Sequence, residues 1–536
     1  MDRRTFLKAG ASAGVLAGIR PAPARAQGES VLRLAMTLSD IPQTTGMATQ
    51  GAEGIRFITN TIYDGLLRWD LSQGETTAEM VPSLAESYEV DESGTVWTFR
   101  LRPGVVFHDG APFTADDVVW NLEKLANRDA PQFDQAQANQ AGNFLANIAS
   151  YEKLDDLTVA ITTTTPDSMF FYKVDRIGMS SRAHWEALGG DWAAFAAQPS
   201  GTGPFQLVDL VPRERAELVK NAAYWDPNRV PKVDRLVLYA MPDPTTRVAA
   251  LLSGQVDWVE APPPDTIPRI EQSGAQIVMN VYPHVWPFWL SFDEGSPFLD
   301  IDVRRAANLA IDREGIAQFL GGVARPAKGL VAETSPWFGS PTFDVRYDPE
   351  EARRLMAQAG YGPDNPCRIK LLTSQAGSGQ MQPMPMSEIC QENLNAVGFA
   401  VEVEVVDWEA LRARRRARAD GAENEGTFGL NNSWSFQDPD FGFMSAFMSN
   451  RAPPDGNNWG LYSDEKADEL GRAAQMAFDP AERDAAIARL HEYLVDQSVW
   501  ITVVHDMNPR ALAANVTGFV APQNWYVDLT SVSVTG

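Results

Sequence analysis

The sequence predicts an α/β protein of two lobes with an additional small α+β domain, and three observations carry that expectation. At 536 residues the chain exceeds what one hydrophobic core serves, since domains run to roughly 100 to 200 residues. Two separate stretches alternate strand-like and helix-like patterns, the mark of a sheet flanked by helices. A run of short strands with turn residues stands apart from both.

The first 26 residues read as an address and are set aside from the fold. Asp2-Arg3-Arg4-Thr5-Phe6-Leu7-Lys8 resembles the twin-arginine export signature except for its leading Ser or Thr. A weakly apolar stretch, Ala9 to Ile19, a Pro-rich link and the small-residue site Ala24-Arg25-Ala26 follow, so cleavage near Ala26 leaves Gln27 at the new N-terminus. The apolar stretch falls short of the roughly 18 to 20 residues of a membrane span. A soluble, periplasmic protein is expected, and with no Cys near the cut it has no site for a lipid tether.

Val31 to Thr37 alternates as a strand, and Phe57 to Trp69 reads as a helix carrying Tyr63-Asp64-Gly65-Leu66. Ser87 to Val90, a turn at Asp91 to Gly94 and Thr95 to Leu101 make a hairpin. Pro112 to Ala126 is helical, with Thr114 as N-cap and Asp116 and Asp117 in the first turn, where acids are favoured. Strands follow at Leu157 to Thr163, within Gly201 to Val211 and at Arg235 to Met241, then a helix at Asp243 to Ser253 and a strand at Val256 to Val259. A second α/β set comprises Ile301 to Ile311, Pro349 to Ala359, Arg368 to Thr373, Pro385 to Val397 and Val401 to Val406. The charged run with Arg412, Arg414, Arg415, Arg416 and Arg418 is read as a solvated helix ending in a mobile loop, not as a binding patch.

Without the five Lys or Arg and the one Asp of the leader, 45 basic and 70 acidic residues become 40 and 69, a net charge of −29. Such a surface disfavours nucleic acid and anionic lipid and favours solubility. Cys367 opens a strand and Cys390 lies inside the returning helix, so their sulfurs are offset beyond the roughly 7 Å between Cα atoms that a bridge tolerates. Two buried thiols are expected.

Three segments carry a family likeness: Pro82 to Ser87 leading through Trp97-Thr98-Phe99 to LRPGVVFHDGAPFTADDVVW at 101–120; GTGPF at 201–205 with Asn221, Tyr224-Trp225 and ALLSGQVDWVE at 250–260; and Phe298 to Arg313. Together they resemble the family 5 (peptide, opine and nickel type) extracellular solute-binding proteins of ABC importers. His108-Asp109-Gly110 in the first of them reads as a tight turn, not a ligand site. The resemblance implies a periplasmic-binding-protein-like hinge fold. Lobe I would comprise 27–69, 203–285 and 505–536, a small extra domain 70–202, and lobe II 286–504. It further implies a small-molecule solute held between closing lobes, ABC permease and ATPase subunits as partners, and a monomer.

The resemblance also points to the site. Ser433-Trp434-Ser435-Phe436-Gln437-Asp438-Pro439-Asp440 is similar to the family's Trp to Asp-Pro motif. Peptide-binding members carry an acid between Trp and Asp-Pro that anchors an ammonium group, and here Ser435, Phe436 and Gln437 stand instead. Asp438 has two readings, as an anchor and as a cap or turn former. Trp434 offers a ring for stacking and Gln437 an amide, which suits a neutral or weakly charged polar ligand: an oligopeptide-like solute, an opine or a sugar conjugate. Further candidates are Trp286 and Trp289 of Trp286-Pro287-Phe288-Trp289, Asn458 and Trp459 of Asn457-Asn458-Trp459-Gly460, Ser39, and His505 with Asn524-Trp525.

No catalytic residue, cofactor or metal site is expected. The chain has no phosphate-cradling Gly-rich loop ending in Lys-Ser or Lys-Thr, no His-Glu-x-x-His helix and no Gly-x-Ser-x-Gly elbow. Its five His are scattered. The alternatives that share this architecture are a sensor presenting its ligand to a chemoreceptor and a receptor for a metal chelate or haem.

Overall fold

The computed structural model describes residues 28–535 apart from 146 and 282. The expected export leader and its cleavage site lie outside the described residues. Two seven-stranded sheets dominate. The first is ordered Gln276–Val278, Arg510–Leu512, Trp258–Glu260, Val31–Met36, Arg235–Ala240, Arg215–Lys220, Phe205–Val211. Val31–Met36 pairs in parallel with both of its neighbours, and the helix Pro244–Leu252, capped by Asp243, is the crossover that parallel pairing demands.

The second sheet is ordered Ala324–Pro326, Trp500–Asp506, His284–Leu290, Thr427–Asn431, Cys367–Ser374, Phe399–Val406, with Trp434–Ser435 added beside the start of His284–Leu290. Its strands His284–Leu290 and Trp500–Asp506 are buried along their whole length, because helices and loops cover both faces. Pro287 sits in the middle of the first of these, where the register to Trp500–Asp506 shifts, as a residue without an N–H requires. Val285 pairs with His505, so the chain's run through the second sheet begins at His284 and ends at Asp506. The chain therefore passes between the sheets twice, after Val278 and after Asp506, and the Asn280 N–H donates to the Met507 carbonyl at 3.1 Å to tie the two crossings together.

A four-stranded antiparallel sheet, Ala85–Val90, Val96–Leu101, Thr158–Thr163 and Ile148–Asp155, forms the small unit. Trp97, Phe99 and Leu101 alternate inward onto the helix Ala115–Ala126. Thr114 and Asp117 form its reciprocal capping box. One expectation needs correction: the helical run near the N-terminus is 52–62, and Leu67–Trp69 is a strand. Tyr63-Asp64-Gly65-Leu66 cannot continue the helix. The Asp64 carboxylate accepts from Thr202, Tyr224 and Trp225, and a Cβ on Gly65 would meet the Asp175 carbonyl at 2.6 Å.

Cys367 and Cys390 are both free and buried, and burial pushes both thiols up to about 12, leaving them inert. No described helix is long and apolar enough to cross a membrane.

Candidate ligand-binding site

A cavity of about 400 Å³ lies between the two large sheets and the small unit, each supplying part of its wall. From the second sheet, the strand Thr427–Asn431 runs out into Asn432, Ser433, Trp434, Ser435 and Gln437. Gln380 fixes this run: its Oε1 accepts from the Ser433 N–H at 3.0 Å while its Nε2 donates to Asn431 Oδ1 at 3.0 Å. Trp434 donates its indole N–H to the Gly442 carbonyl at 3.1 Å and stacks on Phe441 with ring centroids 4.2 Å apart. One face of that indole is thereby taken.

The helix Trp408–Arg416, capped by Asp407, forms the adjoining wall. Its Trp408, Arg412, Arg415 and Arg416 line the cavity, and their i, i+4, i+7, i+8 spacing places them on one helical face. The solvated-helix reading of this charged run is therefore overturned for Arg412 and Arg415, while Arg416 is exposed at the cavity edge. Arg414, on another face, pairs with Glu404 at 3.0 Å. Arg412 bridges to the small unit by donating to Gln140 Oε1 at 3.2 Å. The first lobe contributes Met47 to Ile55, Trp525 and Tyr526.

Asp438 sits behind this wall. One oxygen caps the turn beyond it, accepting from the Phe441 N–H at 2.7 Å, and the other forms a buried ion pair with Arg176. Asp438 is thus a cap, and its other oxygen is held by the protein's own Arg176. Close by, Lys173 pairs with Asp167 at 2.9 Å and Asp440 at 3.2 Å, and burial raises the Asp440 carboxyl to about 6. Arg176 and Lys173 come from the small unit and Asp438 and Asp440 from the second lobe, so the pairs clasp the two across the cavity rim.

Of the residues singled out from sequence, Trp434 and Gln437 line the cavity, as do Asn457 and Trp525. The others lie elsewhere. Phe436 is fully buried against Phe443. Trp286 is buried and donates to the Gln380 carbonyl. Trp289 stacks on Trp500 at 4.8 Å, and Trp459 is wholly buried. Asn458 holds a turn through the backbone of Tyr462. Ser39 is exposed beyond the first strand. His505 is buried with its ring near the His284 carbonyl, and desolvation lowers its pKa to about 4. Strands buried on both faces account for this: dense aromatics in a central strand fill core. Sequence reasoning missed Arg176, His284, Tyr526 and the three cavity arginines, of which only the last carried a signal, the helical spacing from Trp408.

Among the described residues no group of three or more His, Cys, Asp or Glu is placed to hold a metal ion. What the cavity offers is recognition: stacking rings, side-chain amides and guanidinium groups with walls from two lobes joined by two crossings. That combination defines a two-lobed ligand receptor.

Residues 79–456 match the family described as bacterial extracellular solute-binding proteins, family 5. The haem-binding protein A of Haemophilus influenzae is 29% identical over 502 residues, covering 89% of this chain and 87% of its own. The glutathione-binding protein of Escherichia coli K12 is 28% identical over 475 residues, 86% of each chain. The crystal structure of a dipeptide-binding protein from Pseudoalteromonas sp. SM9913 with Met-Leu superposes with a TM-score of 0.81 at 22% identity, covering 94% of this chain and 100% of that one. The chain belongs to the family 5 bacterial extracellular solute-binding proteins. By that membership it is a solute-binding protein.

Proposed function

We propose that this chain captures a small amino-acid-derived solute, a short peptide, peptide conjugate or opine, in the cavity between its lobes and hands it to the permease. The observation that carries this reading is the pairing of the Trp434 ring with two buried amide oxygens, Asn432 Oδ1 and Gln437 Oε1, that have no hydrogen-bond partner among the described residues. Buried acceptors are costly when unmet, so a ligand with N–H or hydroxyl donors is the natural complement. Relatives named for glutathione and for di- and tripeptides support the same class.

In this reading the jaws are lobe I, 27–69, 203–285 and 505–536, and lobe II, 286–504, with 70–202 on the rim. They close about the paired crossings, and the closed, filled monomer docks on the permease, whose ATPase subunits drive uptake. The twin-arginine leader exports the chain to the periplasm and is cut near Ala26. No step of catalysis is involved. A thermal-stability panel of dipeptides, glutathione, opines and sugar conjugates tests this: one class should raise Tm by several degrees without being consumed, whereas conversion of any of them to product would contradict it.

A further inference from the structure

Among the described residues four arginines, Arg176, Arg412, Arg415 and Arg416, line the cavity, and no Asp or Glu does. The chain as a whole has 70 acidic against 45 basic residues, so a cavity wall with only basic charge departs from the rest of the molecule. Arg176 is matched by Asp438, and Arg412 by Glu409 at 3.1 Å on its outer side. Arg415 and Arg416 have no carboxylate within 4.0 Å among the described residues. The Arg415 guanidinium instead lies 5.8 Å from the Trp289 ring centroid and 5.7 Å from that of Trp434, both within cation–π range. Burial, with Arg412 and Arg416 beside it, brings Arg415 down to about 9, so it still carries its charge at neutral pH. Three cations within two helical turns repel one another, and desolvating a guanidinium is costly unless a counter-charge meets it. Among the described residues the chain supplies none within 4.0 Å of Arg415 or Arg416, and Glu409 pairs with Arg412.

We infer that the ligand supplies it: the solute is a small polyanion whose carboxylates gather at one end against Arg412, Arg415 and Arg416, its N–H or hydroxyl groups reaching Gln437 and Asn432. The amino-acid-derived part of this assignment rests on the function proposed above; the anionic pole rests on the arginines alone. Guanidinium groups suit the task, since they bind carboxylates bidentately and hold their charge when partly buried.

Three probes separate the two claims: the dipeptides Glu-Glu and Gln-Gln, nearly the same in shape and differing in charge, and tricarballylate, which has three carboxylates and no nitrogen. Calorimetric titration of the mature protein should show Glu-Glu binding at least about tenfold tighter than Gln-Gln, the worth of one charge-assisted hydrogen bond. That advantage should shrink as salt rises from about 20 mM to about 500 mM. Arg415→Gln should remove most of the difference between the two dipeptides. If that variant fails to fold, Arg416→Gln, at an exposed position, should narrow the same ratio. Equal affinity for the two dipeptides would overturn the anionic pole and leave the proposed function standing. Tricarballylate binding with neither dipeptide bound would keep the anionic pole and overturn the amino-acid-derived class. Failure of all three to bind would overturn both.

Discussion

The Gln437 side chain reaches the cavity wall beside Tyr526, with its oxygen buried and making no hydrogen bond among the described residues. Gln437→Leu keeps the volume and removes the acceptor. It should weaken binding of the retained solute by about tenfold, roughly one hydrogen bond, with Tm unchanged; calorimetry checks this, and undiminished affinity would place the ligand elsewhere. His491 makes a different case, because its two ring nitrogens have opposite duties. Nδ1 faces the Phe338 carbonyl at 2.7 Å, while Nε2 accepts from the Leu330 N–H at 3.0 Å, so only the neutral ring with its proton on Nδ1 satisfies both. Burial lowers its pKa to about 4, against about 6.5 in an unfolded chain. Between those values the unfolded state binds the extra proton, so this contribution to stability is intact above about pH 6.5 and is lost as pH falls toward about 4. Thermal melts should therefore show His491→Gln losing less Tm than the parent between about pH 7 and about pH 4.5; an equal loss would refute the assignment. At this scale the motif led to two residues that line the cavity, Trp434 and Gln437. The sequence misled at Trp286, Trp289 and Trp459, since residue type does not distinguish a ring facing a cavity from one facing a core.

The segment Asp167–Arg176 is the element that joins the small unit to the second lobe. The Ser168 N–H donates to the Gln475 carbonyl at 2.7 Å, Lys173 bridges Asp167 and Asp440, and Arg176 pairs with Asp438. Lys173→Met would leave two buried carboxylates without their shared cation, at a cost of about 3 to 5 kcal/mol. Urea unfolding measures it, and a loss below about 1 kcal/mol would show that other contacts hold the clasp. None of this was visible in the sequence, because the partners stand some 260 residues apart. Local patterns fared better: the hairpin around Asp91 to Gly94, the helix behind Thr114 with its cap and the helix starting at Asp243 all appear. The helix expected from Phe57 to Trp69 failed because Asp64 and Gly65 answer to residues far along the chain, and tertiary demands override a local period there. Charge patterning at 412–418 failed for a related reason. Arginines look the same whether a helical face meets water or a cavity, and only the neighbouring lobe decides.

At the scale of the molecule, two sheets drawing on separated stretches of chain leave two crossings between them, and a cavity opens beside those crossings. The architecture concentrates recognition in one place while the acidic exterior keeps the protein in solution. The α/β class and the presence of two lobes followed from length and from alternating patterns. The order of the strands did not, since the strand Arg510–Leu512 inserts between Gln276–Val278 and Trp258–Glu260 from the far end of the chain. The central claim, a receptor that retains one small solute between these lobes, is tested most directly by native mass spectrometry of the protein isolated from the periplasm, followed by denaturation and identification of what is released. The account predicts a chain beginning at Gln27 with one amino-acid-derived solute of net negative charge per molecule, released intact. A chain that carries no solute and is stabilised by none, or one that releases a chemically altered product, would contradict it.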